Sequence, residues 1–195
     1  MVGQFDTENT MLLKIKIIAF IITSIGIVLL SRFSLRNLSS HGFYRFFAWE
    51  ALVALVLLNI EYWFKEPFNL YQMISWPLLV ISTYFVFHGI HSLQAFGKQD
   101  STRDDPTLLE IEKTCELVTK GAYRFVRHPL YSSLLFLVWG AFFKNPALAG
   151  IILTGTATLF LVVTAKVEEA ENIHFFGAAY EDYMKRTKMF IPFFF

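Results

Sequence analysis

Ala147 to Thr164 reads ALAGIILTGTATLFLVVT, eighteen residues with no charge and no proline. A run of that length and character suits a helix crossing about 30 Å of hydrocarbon, which takes roughly 20 apolar residues. Just before it, Lys144-Asn145-Pro146 breaks the apolar sequence, and the Asn-Pro pair marks a tight turn between antiparallel helices. Apolar sequence runs back from that turn to Pro129, giving a shorter fourth span that forms a hairpin with the fifth. Three more blocks lie upstream, at about Ile15 to Leu30, Phe46 to Phe64 and Tyr71 to Leu93. The spacing therefore predicts an all-α integral membrane protein of about five transmembrane helices ending in a helical hairpin. Composition agrees: 55% of the 195 residues are hydrophobic and 17% charged, more apolar matter than a soluble core of this size can hide. A formal net charge of +1 without a basic tract gives no sign of nucleic acid, and Cys115, the only cysteine, excludes an internal disulfide.

The first ten residues, MVGQFDTENT, lack a basic leader, so the first block reads as a retained span rather than a cleaved signal. Lysine and arginine then set the expected orientation. Arg32, Arg36 and Arg45 follow the first span, six basic residues from Lys98 to Arg127 follow the third, and Lys166, Lys185, Arg186 and Lys188 follow the fifth. With five spans these regions share one side, expected to be cytosolic, and the N-terminus lies outside with Lys65 and Lys144. Residues 1–96 form the N-terminal helices, and residues 97–195 carry the polar loop, the hairpin and the tail. Within the loop, Asp104-Asp105-Pro106 ahead of Thr107 to Glu110 reads as a helix start.

Chemistry concentrates in the stretch Leu117 to Tyr131, LVTKGAYRFVRHPLY. It reads as a loop, a glycine turn and a helix entry, with Pro129 at the first helical position, where a missing N–H is harmless. Arg127, His128 and Tyr131 place a fixed cation, an imidazole and a phenol beside free backbone N–H groups, a setting suited to an anionic group such as a carboxylate. The plain alternative is a snorkelling Arg127, a capping His128 and an interfacial Tyr131. Glu168-Glu169 and Glu171 follow the fifth block, and with no breaker before Gly177 the helix should continue through Val167 to Phe176. Those acids are either a solvated helix extension or carboxylates waiting for a cation. Tyr180 and Tyr183, three apart, share a helical face and read as anchors.

The ordered set G-x-Y-x-x-x-R-H-P-x-Y, a hairpin, Glu-Glu, F-G-x-x-Y-x-x-Y and Pro192 resembles the isoprenylcysteine carboxyl methyltransferase family and the related phospholipid N-methyltransferases. The likeness spans about Leu93 to Pro192. It implies a membrane methyltransferase that uses S-adenosylmethionine in a cytosolic pocket without a Rossmann domain; no glycine-rich dinucleotide fingerprint occurs in the chain. On this resemblance Leu117, Val118, Gly121 and Tyr123 line the adenosine region, and His128 and Tyr131 hold the methionine or ribose portion. Glu168 or Glu169 meets the ammonium or ribose hydroxyls, Arg127 lies near the methionine carboxylate, and Arg127, Glu168 and Glu169 are the expected catalytic residues. The implied acceptor is a lipophilic small molecule, a lipid or a lipidated peptide, methylated at a carboxylate oxygen or an amine nitrogen, and no metal is needed.

The chain departs from the prenylcysteine enzymes at one point. Where they carry an arginine about a turn before the glutamates, this sequence has Thr164, and Lys166 is a point charge rather than a fork. His88 and His91 have metal-ligand spacing without a cysteine or acid close in sequence, so polar packing against the loop is expected of them. Glu50 is the more informative of two acids in the second block, through pairing with Arg45 or by facing the pocket; Glu61 falls at the outer interface. The terminal Phe193, Phe194 and Phe195 suit lipid contact. Two other functions remain open on sequence alone: an NADPH-using membrane reductase of the sterol-reductase type, and a non-catalytic membrane scaffold.

Overall fold

The computed structural model describes residues 2–98 and 106–192, with side chains from residue 9 onward. Among them are six α-helices: α1 (Val2–Ser31), α2 (His41–Asn59), α3 (Leu70–Phe96), α4 (Pro129–Phe142), α5 (Leu148–Phe176) and α6 (Ala178–Arg186). Four are long and apolar enough to cross a membrane, and α4 is a shorter apolar helix. At 1.5 Å per residue, the 14 residues of α4 reach only about 21 Å, so the short fourth span is observed. The chain reads as a multi-pass membrane protein.

The helices sit in the order α1, α2, α5, α4, α3, with the broadest packing between α2 and α5 and between α3 and α4. Both pairs follow the rules of helix association in lipid, where small residues let backbones approach and hydroxyls bond across. On α3, Ser75 Oγ donates to Gly140 O (2.7 Å) and Ser82 Oγ to Ser133 O (2.8 Å). A Cβ on Gly140 would meet Leu79 Cδ2 at 2.7 Å, and one on Gly89 would meet Leu130 Cδ2 at 2.9 Å. Between α2 and α5 the core is Ala48, Ala51, Leu52 and Leu55 against Ala157 and Leu161, with Phe47 stacked on Phe160 at 5.1 Å. Helix α1 leans on α2 and the turn after it through polar contacts: Lys16 Nζ donates to Leu58 O (3.3 Å) and pairs with Glu61, and Ser24 Oγ donates to Glu50 (2.6 Å). Glu50 therefore bonds to α1 rather than to Arg45.

Of three boundaries, two differ from the sequence reading and one agrees with it. Helix α2 begins at His41, not Phe46, which brings His41 and Arg45 into the helix. Helix α5 runs unbroken to Phe176, as the lack of a breaker predicted, and stops at Gly177 with φ of 60°. The helix start expected before Glu110 does not propagate: residues 106–120 hold one 3₁₀ turn, Glu110–Glu112. Asp104 and Asp105 lie outside the described residues. Within that turn Glu112 folds back to accept from Leu109 N (2.9 Å) while Arg45 of α2 takes its other oxygen.

Candidate active site

The Arg-His-Pro element lies where α3, α4, α5 and the tail converge. Gly121 adopts φ of 63°, a left-handed conformation that favours glycine, and the turn packs on α3 with Ala122 N donating to Ser92 Oγ (3.2 Å). The chain then enters α4 at Pro129, the first helical residue. The tail runs alongside as a short parallel strap: Arg127 N donates to Lys188 O (2.7 Å) and His128 N to Met189 O (3.2 Å). Ser132 Oγ donates to Phe190 O (2.7 Å), and Phe190 is fully buried.

Arg127 is committed within the fold. Its Nε donates to Glu169 Oε1 (2.5 Å), and Nη1 donates to Thr187 O (2.6 Å) and Met184 O (3.3 Å). His128 is buried and makes no side-chain cap; its ring stacks on Tyr131 at 5.4 Å. His128 Nε2 lies 3.4 Å from Glu169 Oε1 but out of line for a hydrogen bond, and Tyr131 Oη is likewise buried without a partner. Buried polar atoms without partners are uncommon and carry a penalty of about 1–3 kcal/mol each. Both residues border a cleft of about 660 Å³, its open mouth included.

Six parts of the chain build that cleft: Leu93 of α3, the 106–120 loop, Tyr123, the start of α4, the end of α5, and α6. The loop supplies Leu108, Glu112, Thr114, Leu117 and Val118; α5 supplies Glu168, Asn172 and Phe176. Tyr180 and Tyr183 of α6 close one side, and Tyr183 Oη donates to Tyr123 O (2.6 Å). Burial, reinforced by the charge of Glu168, pushes the Tyr123 phenol well above its ordinary pKa. Burial does the same to Tyr180, again with Glu168 adding to it, and to Tyr183. All three are neutral hydroxyls at physiological pH.

Behind the loop sits an ion cluster. Arg45 pairs with Glu112, and His41 Nδ1 lies 2.6 Å from Glu171 Oε2 while its Nε2 lies 3.5 Å from Glu112 Oε2. Burial alone would raise the Glu112 carboxyl, but Arg45 and His41 outweigh it and hold the group down at about 2. Pairing Arg45 with Glu112, His41 with Glu171 and Arg127 with Glu169 leaves Glu168 facing the cleft. Its nearest basic group among the described residues is His128 Nδ1, at 3.8 Å.

The structure thus gathers Leu117, Val118, Tyr123, Arg127, His128 and Tyr131 at one cleft, with Glu168 opposite. Gly121 shapes the turn rather than the wall, and Glu169 lies behind the wall, locked to Arg127. Sequence reasoning missed Asn172 and Phe176, although they repeat at four-residue intervals from Glu168 along a continuing helix. It took Tyr180 and Tyr183 only as anchors, and it left Glu112 and His41 unremarked, since nothing local marks them. His88 and His91 are exposed, and His88 packs on the Tyr84 ring at 4.2 Å. Among the described residues no group of three His, Cys, Asp or Glu is set to hold a metal ion.

A bundle of apolar helices, four of them long enough to cross a membrane, with a carboxylate-bearing cleft at one end defines the class as a multi-pass membrane protein with a candidate site in that cleft. Residues 70–186 match the phospholipid methyltransferase family model, and the chain belongs to that family. It is 21% identical to a methanethiol S-methyltransferase of Pseudomonas deceptionensis over 157 residues, 72% of this chain and 57% of that protein. A methanethiol S-methyltransferase of Bradyrhizobium diazoefficiens is 29% identical over 121 residues, 60% of this chain and 39% of that protein. The protein-S-isoprenylcysteine O-methyltransferase of Mus musculus is 36% identical over 86 residues, 43% of this chain and 30% of that protein. The chain spans about half the length, or less, of these curated relatives. No solved structure matches it.

Proposed function

We propose that the protein is an S-adenosylmethionine-dependent methyltransferase of the membrane, acting on a lipophilic acceptor. The observation that carries this reading is Glu168, a carboxylate at the cleft wall left over when the neighbouring cations are paired with other acids. The cofactor's sulfonium and ammonium outnumber its carboxylate, so its net charge complements that group. The residues fit the rest of it. Tyr131 Oη and His128 Nε2 are buried polar atoms in want of partners and would bond its carboxylate or hydroxyls. Leu108, Leu117, Val118 and Phe176 provide an apolar wall for a base, and neutral Tyr123, Tyr180 and Tyr183 exclude water without adding charge. When bound, S-adenosylmethionine supplies an electrophilic methyl group. The chain's part is to hold the two reactants in near-attack geometry, a contribution of up to about 7–11 kcal/mol.

The acceptor proposed is a membrane-partitioned molecule other than a prenylcysteine carboxylate. Thr164 is fully buried and donates to Phe160 O (2.6 Å), Lys166 is exposed on another face, and Arg127 is held by Glu169 and two tail carbonyls. Arg127, the one guanidinium lining the cleft among the described residues, is therefore not free to grip a substrate carboxylate. The loop and tail are proposed to face the cytosol, and cysteine introduced at Lys188 in a Cys115→Ser background should resist an impermeant thiol reagent in intact cells. The deciding experiment compares binding of labelled S-adenosylmethionine and NADPH to the purified protein, then supplies methyl-labelled cofactor with either a total lipid extract or farnesylcysteine. Binding of S-adenosylmethionine alone and label in the lipid fraction is expected. NADPH binding, or saturable methylation of farnesylcysteine, would overturn the cofactor or the acceptor respectively.

A further inference from the structure

We propose that His41 and Arg45, at the start of α2, are positioning residues of the methyltransferase site, acting through Glu112 to hold the 106–120 loop against the cleft. This rests on the cofactor reading above. Both residues lie upstream of the family-matched segment, which begins at residue 70. The loop provides five of the residues lining the cleft, yet one 3₁₀ turn is its sole helical feature. Its grip on the bundle comes from tertiary contacts concentrated on α2 and the turn before it. Arg45 is 3% exposed and its Nη1 donates to Glu112 Oε1. His41, wholly buried, bridges Glu112 and Glu171, and its backbone N–H adds a 2.9 Å bond to Glu171 Oε1. Ser34 Oγ donates to Thr107 O (2.9 Å), and a Cβ on Gly42 would meet Ser34 Cβ at 2.8 Å and Thr107 O at 3.2 Å. The loop is also tied to the end of α3, where Cys115 N donates to Lys98 O (2.9 Å) and Lys98 Nζ pairs with Glu116 (2.6 Å).

A structural ion pair would not need to sit at a ligand wall, but Glu112 does both jobs. It is a cleft residue whose two oxygens are occupied from behind, so its position is set by α2 and not by the ligand. The cleft wall is then complete only when α2 holds the loop, which makes residues 1–96 part of the site.

The test measures S-adenosylhomocysteine affinity by titration calorimetry, and turnover at varied S-adenosylmethionine, for wild type, Arg45→Gln, Glu112→Gln and their double variant. Each single variant is expected to lose about tenfold or more in affinity, and the double no more than the worse single, because the two residues act as one unit. Cofactor KM should rise with kcat at saturation nearly retained, the signature of lost positioning rather than lost chemistry. Arg45→Lys should restore part of the affinity. Lys144→Met, which removes a buried cation at the far end of the bundle, serves as the stability control: it should lower the melting temperature and leave affinity alone. If Arg45→Gln fails to fold, Glu112→Gln in the loop decides the matter. Unchanged affinity in Glu112→Gln with wild type binding normally overturns the positioning role alone. So does an affinity loss that Lys144→Met reproduces. Absence of binding by wild type overturns the cofactor reading and this inference with it.

Discussion

Arg45 and Lys144 are both almost fully buried, at opposite ends of the same helical bundle, and they are satisfied in different ways. Arg45 is met by the carboxylate of Glu112, with His41 and Glu171 completing a charged group. Lys144 is held by neutral partners: it lies 3.6 Å over the Trp76 ring and 5.5 Å from that of Trp63, and donates to Gln72 Oε1 (2.9 Å) and Trp63 O (3.3 Å). Aromatic faces and amide oxygens satisfy an ammonium without bringing further charges out of water. That solution closes the far end of the bundle. The cleft end instead keeps several ionised side chains, each expensive to bury, and leaves one carboxylate open. The difference teaches that packing alone has a neutral solution available in this fold, and on the proposed cofactor reading the ions at the cleft end serve to shape a site for a charged ligand.

The comparison breaks first at Glu168. Glu168→Gln should weaken cofactor binding by roughly tenfold to a hundredfold, since a charge-assisted contact is worth about 1.5–3 kcal/mol. Its melting temperature should stay near wild type, because Arg45, His41 and Arg127 each pair with another acid. Calorimetric titration showing wild-type affinity would place the open carboxylate outside the site. At the other end, Lys144→Met should destabilise by about 1–3 kcal/mol by stranding Gln72 Oε1 and Trp63 O, read as a lower thermal midpoint with cofactor affinity intact. A change in affinity there would erase the distinction between the ends.

Acid sharpens the contrast further. The Glu112 carboxyl is held at about 2, below its ordinary 4.5. Its contribution to stability is therefore complete above pH 4.5 and is lost as pH falls from 4.5 toward 2. Thermal midpoints across that window should decline less steeply in Glu112→Gln than in wild type; parallel curves would show that Glu112 carries no such linkage. The smallest effect expected is that of Gly121→Ala, which forces a side chain into a left-handed turn packed on Ser92, a loss of about 1–2 kcal/mol. It should lower both the melting temperature and cofactor affinity, since this turn aims the Arg-His-Pro element. Unaltered binding would show that the turn's geometry is not transmitted to the cleft.

Much of this was legible in the residues. Ala147 to Thr164, and the run from Pro129 broken at Lys144-Asn145-Pro146, announced a helical hairpin because lipid demands long uncharged runs. The Arg-His-Pro-x-Tyr order and the Glu-Glu pair marked one end of that hairpin as chemical. Local sequence misled in the 106–120 loop, where acids and a proline promised a helix and the chain makes a single 3₁₀ turn whose Glu112 is held by Arg45 from α2.

Sequence by itself determined the membrane class and the helical hairpin, because hydrophobic runs and turn residues act locally along the chain. Only the tertiary structure decided which glutamate faces the cleft and which is tied to Arg127, since Glu168 and Glu169 are chemically identical and differ by about 100° around one helix. It alone brought His41 and Arg45 to Glu112, 71 and 67 residues away in the chain. Ion pairing is set by distance in space, and no period or motif encodes a partner that far off.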